Sequence, residues 1–215
     1  MYQAVIFDLD GTLLDTLDDL WASVNAALEK YALPIRTREE VRAFIGNGII
    51  KLMQRASGVE EGELFEGVLS EFKRHYGAHC EDKTQPYEGV MAMLETLRAK
   101  GIKTAVVSNK ADFAVKKLAE GYFHGLLLEA VGENEAEGIR KKPAPDSLLV
   151  VMENLEVDTN STVYVGDSEV DIQTASNAGV ECISVTWGFK DREFLIENGA
   201  TVLVDSVEEL LEKLL

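Results

Sequence analysis

Two aspartates two positions apart, Asp8 and Asp10, close the apolar run Ala4-Val5-Ile6-Phe7 and precede Gly11-Thr12. In extended backbone, residues i and i+2 point the same way, so both carboxylates can address one cation or one ligand. Gly11 then lets the chain turn sharply. By itself such a pair reads first as an acidic turn after a strand. A second acidic strand end changes that reading. Asp167 follows Gly166 and the apolar run Thr162 to Val165, and Asp171 stands about one helical turn further on. Asp167 is placed to ligate beside Asp8, with Asp171 either a further ligand or the group that orients one. Oxygen ligands with no His or Cys cluster beside them select a hard cation, Mg²⁺ before any transition metal.

A site that handles a phosphoryl group also needs donors. Ser108-Asn109 ends the run Lys103 to Val107 and offers a hydroxyl and backbone amides to phosphate oxygens. Lys142 lies in Arg140-Lys141-Lys142-Pro143-Ala144-Pro145-Asp146. A short basic run is usually an exposed loop. Here it stands out against 38 acidic and 21 basic residues, a net charge of −17. Lysine serves as a point charge for phosphate, and the proline that follows restricts where it points.

The elements that must hold these residues are legible in the periodicity. Short continuous apolar runs at Ala4 to Phe7, Lys103 to Val107, Leu126 to Val131, Thr162 to Val165, Cys182 to Thr186 and Thr201 to Val204 predict strands buried on both faces. Helical patterns separate them: Met91, Leu94 and Leu97; Phe113, Val115 and Leu118; Leu148, Leu149, Met152 and Leu155 after Pro145; and a last helix from Val207 opened by Ser206-x-x-Glu209. Strand alternating with helix predicts an α/β fold, a doubly wound parallel sheet of Rossmann-like type with right-handed crossovers. Between about Thr16 and Asp82 only helical spacing appears. Leu17, Leu20, Trp21, Val24 and Leu28 form one stripe, Thr37-x-x-Glu40 opens a second helix, and Leu64, Phe65, Val68, Leu69 and Phe72 mark a longer third. A small helical domain at 16–82, inserted after the first strand, is expected to interrupt a core made of 1–15 and 83–215.

Composition narrows the setting. The 215 residues are 46% hydrophobic, enough for a core domain and a smaller satellite. The acidity excludes a nucleic-acid surface, which needs clustered Lys and Arg. No run approaches the roughly 18–20 apolar residues of a membrane span, and the start has no basic n-region or apolar h-region, so no membrane partner is expected and the cytoplasm is the expected location. Cys80 and Cys182 lie far apart without CxxC spacing, and are expected as reduced thiols.

Taken in order, Asp8-Leu9-Asp10-Gly11-Thr12, Ser108-Asn109, Lys142-Pro143 and Gly166-Asp167-Ser168-x-x-Asp171 resemble the four motifs of the haloacid dehalogenase superfamily, over essentially the whole chain. The helical insertion is similar to that superfamily's small α-helical cap. The triplet Ser108-Asn109-Lys110, the run Lys142 to Asp146 and the stretch Gly166 to Gly179 resemble its phosphoglycolate phosphatase branch. The resemblance implies a Mg²⁺-dependent phosphatase whose partner is a small phosphorylated metabolite. Asp8 would be the nucleophile, forming an aspartyl-phosphate. Asp10 would protonate the leaving oxygen and later deprotonate water, with its backbone carbonyl on the metal. Asp167 would complete the metal ligands with Asp171 in support, while Ser108, the Asn109 amide and Lys142 hold the phosphoryl oxygens. Pyrophosphatase, nucleotidase and sugar phosphomutase activities share these motifs, and a silent binding module would not need every catalytic position filled.

Substrate choice is expected from the cap, at Arg42 and the Gly46-Asn47-Gly48 turn, where glycines admit close backbone approach and Arg42 can pair with a carboxylate. Lys110 is read equally as a residue that approaches the substrate and as an exposed lysine at a helix start. His75 and His79, with Cys80, have the spacing of a zinc face but lack a fourth ligand, which favours a structural role. Trp21 and Trp187 are expected to pack, although Trp187-Gly188-Phe189 follows a strand end and is also placed to line the crevice.

Overall fold

A computed structural model of the chain describes residues 2–133 and 138–215. Met1 and residues 134–137, which fall in the expected core ranges, lie outside the described residues. The chain divides into two compact units, one running up to Leu14 and resuming at Pro86–Leu215, the other Asp15–Gln85. The crossings carry two-residue strands, β2 (Leu14–Asp15) and β3 (Gln85–Pro86).

The larger unit is built on β1 (Ala4–Phe7), β4 (Lys103–Ala111), β5 (Glu129–Glu133), β6 (Thr162–Gly166), β7 (Glu181–Val185) and β8 (Leu203–Val204). Among the described residues they form one sheet in the order β5-β4-β1-β6-β7-β8, parallel throughout. Its helices are α5 (Val90–Ala99), α6 (Asp112–Phe123), α7 (Asp146–Asn154), α8 (Glu169–Ala178), α9 (Arg192–Glu197) and α10 (Val207–Leu214). The α/β doubly wound fold expected from the alternating pattern is the one observed. β1 is the central strand, and all four of its residues are fully buried, which explains why it reads as a continuous apolar run rather than an alternating one. Ala4, Ile6, Ala105, Val107 and Tyr164 from the sheet pack with Leu148, Val151, Met152 and Leu155 of the α7 region and with Ala175 and Ala178 of α8.

Phe7 lies beside Val106 of β4 and Val165 of β6. This register sets Asp8, Ser108 and Asp167 at the same end of three neighbouring strands. The chain leaves β1 toward β4 and β5 on one side and toward β6, β7 and β8 on the other, and a parallel sheet opens its ligand crevice at such a switch point, outside the carboxyl ends.

Several local expectations shift. β5 begins at Glu129, not Leu126; His124 ends α6 at φ 43° and Gly125 follows at φ 76°, so the chain is still turning there, and Leu128 is exposed. Phe113 and Leu149 face outward. Ser206 does accept from the Glu209 amide, but the Glu209 carboxylate takes the N–H of Asp205, one residue before the cap.

The smaller unit is helical: α1 (Leu17–Lys30), α2 (Arg38–Phe44), α3 (Gly48–Ser57) and α4 (Glu63–His79). α3 has no counterpart among the three stripes predicted from sequence. The buried stripe of α1, Leu17, Leu20, Val24 and Leu28, belongs to an α1–α4 pair with Phe65, Val68, Leu69 and Phe72 of α4, and Phe72 stacks on Tyr76 at 5.6 Å. The Thr37–Glu40 capping box forms in full. Buried Asp19 accepts from the backbone N–H groups of Lys83 and Thr84 and from the Thr84 hydroxyl, tying the returning segment to the first turn of α1. No described helix is long and apolar enough to cross a membrane.

Candidate active site

Asp8 is the first residue past β1, and its N–H continues the ladder by donating to Val165 O at 2.8 Å. The sheet therefore fixes its backbone, and its side chain is buried with that of Asp167 past β6 and Asp171 in the first turn of α8. One oxygen from each of these three carboxylates lies within 4.8 Å of the others, the one cluster of metal-ligand type among the described residues. Lys142 reaches the same place from the loop before α7. Its ammonium donates to Asp171 Oδ1 at 2.7 Å and to the Tyr164 hydroxyl at 3.0 Å, and lies 2.9 Å from Asp8 Oδ1.

Each group is held from behind. Asp171 Oδ2 accepts from the N–H and hydroxyl of Ser168, the N-cap of α8, at 3.1 and 2.6 Å. The Tyr164 hydroxyl in turn donates to Val107 O at 2.8 Å. Asn109 Nδ2 donates to Lys142 O at 3.0 Å, which fastens the Lys142 loop to the end of β4. Asp167 sits in a cradle of glycines: a Cβ at Gly11 or at Gly188 would lie 2.3 Å from Asp167 Oδ2. The same oxygen accepts from the Phe189 N–H at 2.6 Å. At Gly166 a Cβ would stand 2.3 Å from Asp171 Cγ, so the glycine that ends β6 lets the Asp171 side chain turn in.

The charges do not balance among these residues alone. With all three carboxylates ionised, the Lys142 ammonium would leave two negative charges in a buried place. Burial, set against the pull of Lys142, raises Asp8 to about 6. Burial and then the charges of Asp171 and Asp8 push Asp167 well above the ordinary carboxylate range. For Lys142 burial acts downward, and the charges of Asp171 and Asp8 overcome it and hold the ammonium protonated. One hard divalent cation would supply the missing positive charge, carboxylate oxygens being the right donors for it, and Asp8 Oδ1 is buried without a well-aligned hydrogen bond. The residues present therefore fit Mg²⁺.

Of the residues singled out from sequence, Asp8, Asp167, Asp171 and Lys142 meet in this cluster, and Ser108 and Asn109 are buried at the end of the adjacent β4. Asp10 follows one turn of chain later; its carboxylate stands outside the three-carboxylate group and accepts from Lys110 Nζ at 2.7 Å. Lys110 is buried on β4, not exposed at a helix start. Gly188 and Phe189, expected from their place after a strand end, stand against Asp167, whereas Tyr164 escapes sequence reasoning, because a tyrosine inside an apolar strand reads as packing.

The family model described as haloacid dehalogenase-like hydrolase matches residues 5–185. The chain belongs to that family. It is 34% identical to the phosphoglycolate phosphatase of Pseudomonas savastanoi pv. phaseolicola, over 96% of this chain and 78% of that protein. It is also 34% identical to the phosphoglycolate phosphatase of Neisseria meningitidis serogroup A, over 99% and 93%. A solved structure from Lactobacillus delbrueckii subsp. bulgaricus superposes with a TM-score of 0.94 at 39% identity, covering 100% of this chain and 98% of that one. A predicted phosphoglycolate phosphatase from Haemophilus somnus 129PT matches at 0.90 and 28%, covering 99% and 97%. The family places the cluster at the strand ends in a hydrolase.

In the helical unit, Arg42 occupies the last turn of α2 and Asn47 is the N-cap of α3, between Gly46 and Gly48, both at positive φ. Asn47 Oδ1 accepts from Arg55 Nη2 at 2.7 Å, while Arg55 Nη1 donates to Phe44 O. The turn is thus braced by Arg55. His75 Nδ1 pairs with the Ser23 hydroxyl at 3.0 Å and His79 Nδ1 with Asp82 at 2.8 Å, and among the described residues neither joins a cluster of metal-ligand type. Trp21 donates to Arg36 O and Trp187 to Thr12 O, each a packed ring with its N–H satisfied.

Proposed function

We propose that this chain is a Mg²⁺-dependent phosphatase of small phosphomonoesters that works through an aspartyl-phosphate, with phosphoglycolate the first substrate to test. The observation that carries the reading is the meeting of Asp8, Asp167, Asp171 and Lys142 at adjoining strand ends, with two negative charges left for a divalent cation. The names of the relatives support the choice of substrate.

Mg²⁺, held by Asp8, the Asp10 carbonyl and Asp167 with Asp171 in support, would supply charge neutralisation for the phosphoryl oxygens. Lys142, the Ser108 hydroxyl and the Asn109 amide take those oxygens by hydrogen bonds. An Asp8 carboxylate oxygen attacks phosphorus as the bond to the leaving oxygen breaks, and Asp10 gives that oxygen its proton. Asp10 then takes a proton from water, whose oxygen displaces Asp8 from phosphorus and releases inorganic phosphate. An alkyl halide would need no proton donor for its leaving group, so Asp10 favours the phosphate reaction over dehalogenation. The helical unit is the cap in this reading. Arg42 and Asn47 are its specificity residues, with Arg42 pairing with a substrate carboxylate. The cytoplasm is the proposed location and a small phosphorylated metabolite the proposed partner.

The test is kcat/KM for phosphate release over phosphoglycolate, hexose phosphates, nucleotides and pyrophosphate, with the natural chain, Asp8→Asn and Arg42→Ala. Expected are a preference for phosphoglycolate, turnover abolished by Asp8→Asn, and a KM raised by Arg42→Ala for the carboxylate-bearing substrate only. Turnover retained in Asp8→Asn sinks the covalent route.

A further inference from the structure

Lys110 takes no part in the proposed phosphatase steps, yet its side chain is 2% exposed. A charge is buried at that depth only with a partner, because an unpaired ammonium out of water is strongly unfavourable. The partner is Asp10, 2.7 Å away and itself 13% exposed.

The backbone is shaped to deliver it. From Val107 to Ala111 β4 advances four residues while its neighbour β5 advances two, from Val131 to Glu133. Such a bulge re-aims the side chains that follow it. β5 comes close to this bulge only because residue 132 is glycine: a Cβ there would stand 2.4 Å from Asp112 Cα and 2.6 Å from Lys110 O. Gly132 N–H donates to Asp112 Oδ1 at 3.0 Å, and Ser108 Oγ accepts from the Lys110 N–H at 3.3 Å. Among the described residues, buried Lys142 pairs with Asp8 and Asp171, and buried Lys110 with Asp10.

We propose that Lys110 is a positioning residue for Asp10, holding the carboxylate where it hands a proton to the leaving oxygen. The proposal rests on the phosphatase reading. As the P–O bond breaks, its electron pair goes to the leaving oxygen and the proton comes from Asp10. An alkyl alkoxide needs that proton, whereas nitrophenolate leaves without it.

The experiment is steady-state kinetics of the natural chain, Lys110→Met, Asp10→Asn and the double variant on a series from alkyl phosphates to p-nitrophenyl phosphate. Lys110→Met is expected to lower kcat about 100-fold for alkyl phosphates, the usual effect of a group displaced by about 1 Å. It should leave p-nitrophenyl phosphate and every KM within about threefold. The double variant should be no slower than Asp10→Asn alone, as two residues acting in one step are not additive. A uniform loss across the series, a raised KM with kcat intact, or additive losses would overturn the proposal. Should Lys110→Met not fold, Lys110→Arg keeps the charge while moving the donors and carries the same comparison. If the natural chain turns over no member of the series, the phosphatase reading fails. Lys110 is then judged by the crystal structure of the variant: an Asp10 carboxylate within about 0.5 Å of its original place refutes positioning, and a displaced one supports it.

Discussion

Gly188→Ala adds one methyl group where the structure has no room for it. The new Cβ would lie 2.3 Å from Asp167 Oδ2, 2.4 Å from Asp167 Cβ and 2.4 Å from Gly11 O. Ordinary contact begins near 3.4 Å, so Asp167 or the Gly11 backbone must retreat by about 1 Å. Asp167 has little freedom to do so, being 2% exposed and held by the Phe189 N–H. Overpacking of this kind is destabilising by about 1–3 kcal/mol. For a chain of this length that is a melting temperature lower by about 2–12 °C. Activity should fall as well, because displacing the carboxylate proposed to bind the metal by about 1 Å is expected to reduce kcat/KM by about 100-fold, or about 2.7 kcal/mol. The assay is thermal unfolding with and without Mg²⁺ beside phosphate release. Gly179→Ala is the control: its φ is +70° with nothing within 4 Å, so it carries backbone strain alone and should lose stability while keeping its full response to Mg²⁺. A Gly188→Ala protein that melts like the natural chain and responds equally to Mg²⁺ would refute the cradle.

Addition of Mg²⁺ to about 100 times its Kd should stabilise the protein by about 2.7 kcal/mol, raising the melting temperature by about 5–10 °C. EDTA should reverse the shift and Asp167→Asn should abolish it; indifference to Mg²⁺ at every concentration argues against the metal site. Glu71 is buried in the helical unit, where hydrogen bonds first from Arg74 and then from Lys30 lower it to about 2. A depressed carboxyl contributes stability that is full above its unfolded value of about 4.5 and disappears as pH falls through about 2. The difference in melting temperature between the natural chain and Glu71→Gln should therefore be constant above about pH 4.5 and close below it, whereas a gap unchanged down to pH 2 assigns the difference to packing.

Much of the site is legible in the chain because parallel α/β folds put chemistry at the carboxyl ends of apolar runs, and those runs are visible without coordinates. Asp8 and Asp167 are found this way, and Ser108 by the same logic on β4. Lys142 is found by contrast, a basic run in an acidic chain. Lys110 is harder, since whether a lysine after a strand is exposed depends on where the strand ends, and β4 continues to Ala111 through a bulge that no periodicity announces. Tyr164 is invisible for a similar reason: in sequence it is one more strand residue, and only the folded chain turns its hydroxyl toward Lys142.

Sequence by itself determined the alternating architecture, the helical insertion and the order of the four motifs, because burial patterns and turn chemistry are local properties. Tertiary structure decided which charges share a site. Asp8, Lys142 and Asp171 are separated by long stretches of chain, and their contacts at 2.9 and 2.7 Å exist because β1 lies between β4 and β6. Sheet order is a property of the whole fold. It brings buried Lys142 to Asp8 and Asp171 and buried Lys110 to Asp10.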